Sequence, residues 1–547
     1  MATGTDKTLI GWVSDEWYSA LADVMVEIEH DGEAVAQVRS SASGRVEATI
    51  EPGDYRLTLA HPGFGSKGAD VTVAPGKSPI QFRLLADDLL GFVWPRWVRS
   101  GEQAELRFHG TEPYRLSLWR YGAEKDFLKL LGWFDEHGPR SVMQITPDGD
   151  YTPGGVEWNR VGYGGNPHHS LMITAPVAGG LHYVHAETDS GAFFSAPWIV
   201  APARPSAPIA VLHSTNTWNA YNAFGGRSNY INSAGLPPRP VINARQDLAR
   251  YGDNALGEWS APNEDYPFLS FERPEPANAV PRDERPEDPM RGRLSSSMAP
   301  AEWRLLAWLE REGFAYDTYA DQQLHDGTLD LASYKVLIIC VHPEYWSRQM
   351  LERIEGWIAD GGRLVSLGGN CVNCEVEMPD GKSMRCLTQL TATDGSLGMV
   401  SPDDPSVWLD SRFHRTAMAE AGVIGAATTE TGIMTAAPYR VLDASHWVFE
   451  GTGLRDGDDF GSESLHERCS GGASGHETDK RTAQTPADFR TLAKGLNPDD
   501  GGAEILIRET DGAGAVFNTG SITYVASLLV DGDVSTVTRN VLARFTA

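Results

Sequence analysis

The sequence contains little cysteine and little positive charge. Five cysteines among 547 residues are too few for a disulfide framework, and the single CxxC pair, Cys371 and Cys374, has no second pair to complete a zinc site. Lys and Arg number 46 against 74 Asp and Glu, which gives a formal net charge of −28. Since a polyanion would be repelled by this charge, we expect neither nucleic acid nor an anionic membrane as a partner.

Long apolar runs and nucleotide-binding motifs are also missing. No apolar segment approaches the roughly 20 residues of a membrane-spanning helix. The opening residues, MATGTDKTLIGW, lack the basic and apolar regions of a secretory signal, so we expect a cytoplasmic protein. The sequence has no GxxxxGK[ST] and no GxSxG, and its GxGxxG match, residues 63–68, lies among short strands and turns and does not open a helix. Nucleotide binding and a serine nucleophile therefore have no support.

The chain is too long for one hydrophobic core, and its patterns divide it into three parts. Residues 8–84 alternate with period two between closely spaced turns, which predicts a small antiparallel sandwich over residues 1–85, and GRVEATIEPGDYRLTLAHPGF resembles transthyretin-like domains. Residues 86–205 continue in strands and predict an immunoglobulin-like sandwich. Residues 206–547 alternate strands with helices. We therefore predict a multidomain α/β plus all-β protein, with two β-sandwich modules before a C-terminal doubly wound α/β domain.

A βαβ unit is predicted between residues 335 and 370. Residues 336–341 form an unbroken apolar run, which is typical of a strand buried on both faces of a parallel sheet. Ser347 can cap a helix that ends at Gly361 and Gly362 before a second strand. Ligands of open α/β sheets bind beyond the carboxyl ends of the strands. We therefore expect the side chains that follow the two strands to share one crevice; they are His342, Glu344 and Asn370.

Five short segments, in this order, resemble the large (beta) subunit of N,N-dimethylformamidase and its relatives. They are HSTNTWNAYNAFGGRSNY, VHPEYWS, SLGGN, SGHETD and VFNTGS. The resemblance implies that the α/β domain is similar to class I glutamine amidotransferases. It also implies a mononuclear iron, held by two tyrosines and one glutamate, that acts on a small amide. The large lectin-like insertion of the formamidase subunit has no counterpart in this chain, so the resemblance does not name the amide.

Carried over residue by residue, the resemblance implies a specific site. The glutamate ligand falls on Glu344 and the first tyrosine on Tyr221, while the second tyrosine falls on Tyr266, with Tyr230 as the alternative. Glu477 is the expected general base, and His342 and Asn370 are expected to orient substrate or water. The residues expected to bind substrate are Phe517, Asn370 and Trp218.

Phenolate and carboxylate are hard anionic oxygens, which suit a trivalent iron better than zinc. The sequence is therefore interpreted as an iron-dependent amidohydrolase that cleaves the C–N bond of a small linear amide with metal-activated water. Two alternatives stay open: a thiol-dependent amidase with Cys371 as nucleophile, and a non-catalytic ligand-binding scaffold. We expect a homo-oligomer, and the resemblance leaves open the need for a small partner subunit.

Overall fold

The computed structural model describes most of the chain. The described residues are 7–15, 19–84, 86, 88–135, 169–222, 224, 228–229, 239–240, 268–288, 296–387, 413, 418–429, 431–510 and 514–547. Within them, the strands outnumber the helices, and several separate sheets are present.

Seven strands form the first sandwich: β1 (Thr8–Ser14), β2 (Met25–His30), β3 (Glu33–Arg39), β4 (Arg45–Ala48), β5 (Gly53–Ala60), β6 (Lys67–Val73) and β7 (Ile80–Arg83). They make two sheets, in the orders β4-β1-β7 and β3-β2-β5-β6. The period-two pattern of β5 places Tyr55, Leu57 and Leu59 on its buried face. Both sheets contribute to one apolar core, as expected for a sandwich.

Eight strands form the second sandwich: β8 (Leu90–Trp94), β9 (Trp97–Arg99), β10 (Gln103–His109), β11 (Tyr114–Tyr121), β12 (Lys125–Phe134), β13 (His169–Thr174), β14 (Gly180–Thr188) and β15 (Phe193–Ala201). Their sheets have the orders β13-β10-β8 and β12-β11-β14-β15-β9. A second core lies between them. The prediction of β-sheet modules in this half of the chain is confirmed, whereas the exact domain limits stay predictions.

The remaining strands are β16 (Ile209–His213), β17 (Leu269–Ser270), β18 (Tyr316–Ala320), β19 (Val336–Val341), β20 (Tyr345–Trp346), β21 (Arg363–Gly368), β22 (Cys374–Glu377), β23 (Ser383–Cys386), β24 (Ala427–Thr429), β25 (Ala436–Ala437), β26 (Tyr439–Val441), β27 (Asp459–Phe460), β28 (Ser474–Gly475), β29 (Thr478–Lys480), β30 (Arg490–Gly495), β31 (Glu504–Glu509) and β32 (Ala515–Asn518). Nine of them form one large sheet in the order β18-β16-β19-β21-β32-β31-β30-β26-β27. The first five strands of that order are parallel, and the others pair antiparallel. Smaller sheets have the orders β17-β23-β22-β20, β24-β29 and β25-β28.

The α-helices of the described residues are α1 (Thr215–Ala220), α2 (Ala299–Arg311), α3 (Asp321–His325), α4 (Arg348–Ala359), α5 (Ala421–Ile424), α6 (Tyr524–Ser527) and α7 (Gly532–Thr546), and short 3₁₀ turns span Pro276–Asn278, Leu331–Ser333 and Trp447–Phe449. Alternate residues of β19 show which helices pack on each face of the large sheet. Val336 and Ile338 face the core that contains α2 and α7, whereas Leu337 and Ile339 face the core that contains α4. Helices therefore cover both faces of the parallel half of the sheet, which is why every residue of β19 is buried.

Among the described residues, no helix is both long enough and apolar enough to cross a membrane. The predicted cytoplasmic location stays a prediction.

Candidate active site

Four polar side chains meet beyond the carboxyl ends of β19 and β21. His342 and Glu344 follow β19, Asn370 follows β21, and Glu477 directly precedes β29. The Nε2 atom of His342 lies 3.2 Å from Oε2 of Glu344 and 3.2 Å from Oε2 of Glu477. Asn370 Nδ2 donates to that same Glu477 oxygen at 2.7 Å. The structure thus brings His342, Glu344 and Asn370 together with the predicted base, Glu477.

Tyr221 joins this cluster from the C-terminal end of α1. Its hydroxyl donates to Oε2 of Glu344 at 2.9 Å, and its ring centroid lies 5.4 Å from that of His342. The backbone N–H of Glu344 donates to Oγ1 of Thr217, in the same helix, at 3.1 Å. These contacts fix α1 against the loop that follows β19. We call Tyr221, His342, Glu344, Asn370 and Glu477 the site cluster.

Three non-glycine residues at or beside the site cluster have left-handed backbone conformations. Val341 has φ of 62°, Asn370 52° and His476 67°. For a β-branched residue such as Val341 this conformation is strongly disfavoured. Such strain persists only where the surrounding structure enforces it, and it is concentrated at functional sites. Each of these three residues is either in the site cluster or directly before one of its members.

Close backbone packing brings Glu477 to Asn370. A Cβ atom added to Gly369 would lie 2.3 Å from the carbonyl oxygen of Glu477, so only glycine permits this approach. The carboxylate of Asp479 accepts the backbone N–H groups of Asn370 at 2.8 Å and of Cys371 at 3.2 Å. Burial raises the pKa of Asp479 to about 7 against the opposing effect of these bonds. The sequence reasoning missed Gly369 and Asp479, although both lie within the quoted segments SLGGN and SGHETD.

The charges of His342 and Glu477 stabilise each other. Burial disfavours the charged imidazolium, but Glu477 and Glu344 outweigh it and raise the pKa of His342 to about 10. Burial likewise opposes ionisation of Glu477, yet His342, His476 and Asn370 lower its pKa to about 2. At neutral pH this arrangement therefore holds an imidazolium beside an unprotonated glutamate. Glu477 has the protonation state of a proton acceptor.

The two aromatic residues predicted to bind substrate are packed in the interior. Trp218 is 2% exposed, and its indole N–H donates to Oε1 of Glu302 at 2.9 Å. Glu302 also binds Nδ1 of His213 at 2.6 Å, so this buried carboxylate fixes the turn between β16 and α1. Phe517 is fully buried in β32. No structural contact tests their role, which stays a prediction. Tyr266 and Tyr230 lie outside the described residues.

Comparison with known proteins decides the family. Residues 128–536 match the family described as N,N-dimethylformamidase beta subunit-like, C-terminal, which is more than half of the chain. The chain belongs to this family. Two relatives, each named N,N-dimethylformamidase beta subunit, come from Alcaligenes sp. and Paracoccus aminophilus. Each is 27% identical over 395 residues, which are 64% of this chain and 50% of the relative.

The chain thus spans about half the length of the curated relatives it matches. Among solved structures, the Bacillus anthracis TIE protein is 12% identical, with a TM-score of 0.14, over 35% of this chain and 30% of its own. A likeness at that score carries no argument about fold or function.

The geometry of the site cluster can be compared with the iron site that the dimethylformamidase-like sequence implies. Among the described residues, no group of three or more His, Cys, Asp and Glu side chains could hold a metal, so a metal here would depend on tyrosine. The Tyr221 and Glu344 oxygens are 2.9 Å apart. Two adjacent ligand oxygens at right angles, each about 2.0–2.1 Å from an ion, are separated by about 2.9 Å. This part of the implied donor set fits.

The ring of His342 adds a second sign that a ligand belongs here. It is 1% exposed, and its Nε2 atom faces the two carboxylates at 3.2 Å. Its Nδ1 atom has no hydrogen-bond partner among the described residues. A buried polar atom left in this state costs free energy unless water, an ion or a ligand completes it.

The thiol of Cys371 is poorly suited to nucleophilic attack. It is fully buried, and burial, followed by the nearby carboxylate of Asp479, holds its pKa well above the ordinary value for a thiol. The thiolate is the reactive form of cysteine, and a raised pKa depletes it. These observations disfavour the thiol-dependent alternative.

Proposed function

We propose that this chain is a hydrolase that cleaves the C–N bond of a small linear amide, and that the site cluster is its catalytic centre. The observation that carries the proposal is the pairing of Tyr221 with Glu344 at 2.9 Å, beside a second carboxylate, Glu477, that His342 and Asn370 hold in place. The name N,N-dimethylformamidase beta subunit of the two relatives supports this reaction class.

We further propose that the centre holds one iron ion, as Fe(III). Tyr221 and Glu344 would supply two of its ligands, and Tyr266 or Tyr230 the third. Two phenolates and one carboxylate carry three negative charges, which balance a trivalent ion. When bound, the iron supplies a Lewis acid that polarises an amide carbonyl and acidifies water.

The other residues of the site cluster have roles that follow from their contacts. Glu477 takes a proton from the attacking water and returns it to the departing amine. One carboxylate can serve both steps, because the proton that it takes from the water is the proton that it returns to the amine. Asn370 Oδ1 is buried and has no hydrogen-bond partner among the described residues. This oxygen can accept an N–H or O–H from the substrate or the water while Nδ2 holds Glu477.

The fold of this chain and the name of the relatives support two finer proposals. The five parallel strands, with helices on both faces, support a doubly wound domain similar to class I glutamine amidotransferases. The relatives are named as a beta subunit, which supports a partner subunit for this chain, whereas self-association stays a prediction. Both stay proposals.

A turnover assay on metal-depleted and iron-reconstituted protein tests the function. Formamides, acetamides and arylamides are offered to both preparations, and release of the amine is measured. We expect amine release from at least one small linear amide, only in the iron-reconstituted protein. Equal activity in both preparations would contradict the iron, and no hydrolysis of any amide by iron-replete protein would contradict the reaction class.

A further inference from the structure

The C-terminal end of α1, which carries Tyr221, is clamped by one buried arginine. Arg273 is fully buried. Its Nη2 donates to the backbone oxygen of Asn219 at 3.0 Å and to Oδ1 of Asn219 at 2.9 Å. Its Nη1 donates to the carbonyl oxygen of Phe224 at 2.9 Å, and its Nε to that of Ser270 at 3.0 Å. The guanidinium therefore binds the chain on both sides of Tyr221.

The short segment that contains Arg273, residues 269–274, makes further hydrogen bonds to this end of α1. The side chain of Asn219 donates to the carbonyl oxygen of Leu269 at 3.1 Å, and that of Asn222 donates to the carbonyl oxygen of Pro274 at 2.8 Å. Residues 269–274 thus bind Asn219 in the last turn of α1 and Asn222 just beyond the end of the helix.

Residues 269–275 are in turn bound by side chains of the second sandwich. Arg96, which is 4% exposed and lies between β8 and β9, donates to the carbonyl oxygens of Phe271 and Arg273. It also forms a buried ion pair with Glu275. Trp97 packs edge-on against the ring of Phe271, with centroids 5.2 Å apart. A buried charge of this kind is fixed in position because breaking its pairing is strongly unfavourable.

We propose that Arg273, braced by Arg96, is the residue that positions Tyr221 for metal binding, so that the second sandwich is part of the machinery that builds the metal site. This inference rests on the proposed function. The hydroxyl of Tyr221 must lie within hydrogen-bond distance of Glu344 for both to reach one ion. The bonds from Arg273 to Asn219 and Phe224 fix the backbone on both sides of Tyr221. Arg273 is a positioning residue, since the hydrogen bonds described above join it to Asn219, Phe224 and Ser270, which lie outside the site cluster.

The test compares conservative arginine replacements in the full chain. Arg273→Lys keeps the charge but loses the planar fork that binds Asn219 and two carbonyl oxygens at once. The matched control is Arg304→Lys. Arg304 is also fully buried, binds the carbonyl oxygens of Pro286 and Asp288 and pairs with Glu467, and makes no described hydrogen bond to α1.

Three quantities are measured: iron affinity, thermal unfolding, and hydrogen exchange of residues 214–222 in metal-free protein. For Arg273→Lys we expect iron affinity to fall by about 10- to 100-fold, the usual effect of losing an outer partner of a metal ligand. Exchange at the Tyr221 amide, which donates to Thr217, should become faster. Arg304→Lys should lower the unfolding temperature to a similar extent and leave both other quantities unchanged.

The outcomes separate this inference from the function itself. Absence of iron binding in the unsubstituted chain overturns the proposed function. Normal iron binding in the unsubstituted chain, with equal affinity and exchange in Arg273→Lys, overturns the positioning role and leaves the function standing. Equal losses in Arg273→Lys and Arg304→Lys also overturn it. If Arg273→Lys does not fold, Arg96→Lys is measured instead, and iron affinity equal to that of the unsubstituted chain overturns the inference.

Discussion

Replacing Gly369 by alanine should displace Glu477 from the site cluster. The added Cβ would lie 2.3 Å from the carbonyl oxygen of Glu477 and 2.7 Å from the backbone nitrogen of Ile522. Both atoms belong to the backbone, so no side-chain rotation relieves the clash. An ordinary C···O contact is about 3.3 Å, and the Glu477 backbone must therefore retreat by about 1 Å.

That retreat is enough to break the contacts of the glutamate. The Asn370 Nδ2 to Glu477 Oε2 distance of 2.7 Å would lengthen to about 3.7 Å, beyond the range of a hydrogen bond. A misplacement of about 1 Å at a catalytic group costs about 100-fold in turnover. Overpacking should lower the free energy of unfolding by about 1–3 kcal/mol. Turnover is measured at saturating amide, and stability by urea unfolding.

Gly356→Ala is the matched control. Gly356 lies on the exposed face of α4, and an added Cβ there meets nothing within 4 Å. Alanine should stabilise this helix by up to about 1 kcal/mol and leave turnover unchanged. If Gly369→Ala folds and turns over amide as fast as Gly356→Ala, Glu477 has no part in catalysis.

Three further substitutions test separate parts of the account. Glu344→Ala should abolish iron binding and activity, because it removes an anionic ligand; full iron content by elemental analysis would reject Glu344 as a ligand. Glu477→Gln should keep iron and lower turnover by roughly 10²- to 10⁴-fold, whereas lost iron would make Glu477 a ligand. Burial lowers the pKa of His182 to about 4, so its stabilising effect is complete above its unfolded pKa of about 6.5 and is lost as the pH falls towards 4. His182→Asn should therefore remove about 2 kcal/mol of the difference in unfolding free energy between pH 7 and pH 5, measured by urea unfolding. If His182→Asn leaves this difference unchanged, the pKa of His182 is not lowered by burial.

Local patterns predicted the βαβ unit closely. The predicted strand over residues 336–341 is β19, and Ser347 caps α4 by accepting the N–H of Met350. The apolar face predicted for this helix is buried, as expected; its residues are Met350, Leu351, Ile354, Trp357 and Ile358. These features depend on residues a few positions apart, which is why hydrophobic period and capping chemistry were sufficient.

The assembly of the site could not be derived in the same way. Glu477 meets Asn370 across 107 residues, and the approach depends on the missing side chain of Gly369 and the left-handed backbone of His476. Neither feature has a periodic signature. The link from Arg273 to α1 crosses 54 residues and looks, in sequence, like an ordinary charge in a proline-rich loop. Only the family resemblance placed Tyr221 and Glu477 beside Glu344.

The most direct test of the central claim is the visible absorption spectrum of the iron-loaded protein, compared with that of Tyr221→Phe at equal iron content. A phenolate bound to Fe(III) produces a tyrosinate-to-iron charge-transfer band, and phenylalanine cannot supply the phenolate. The account predicts a purple or orange protein whose band weakens or shifts in Tyr221→Phe. An identical band in both proteins would contradict the assignment of Tyr221, and iron-replete protein with no such band would contradict a tyrosinate site altogether.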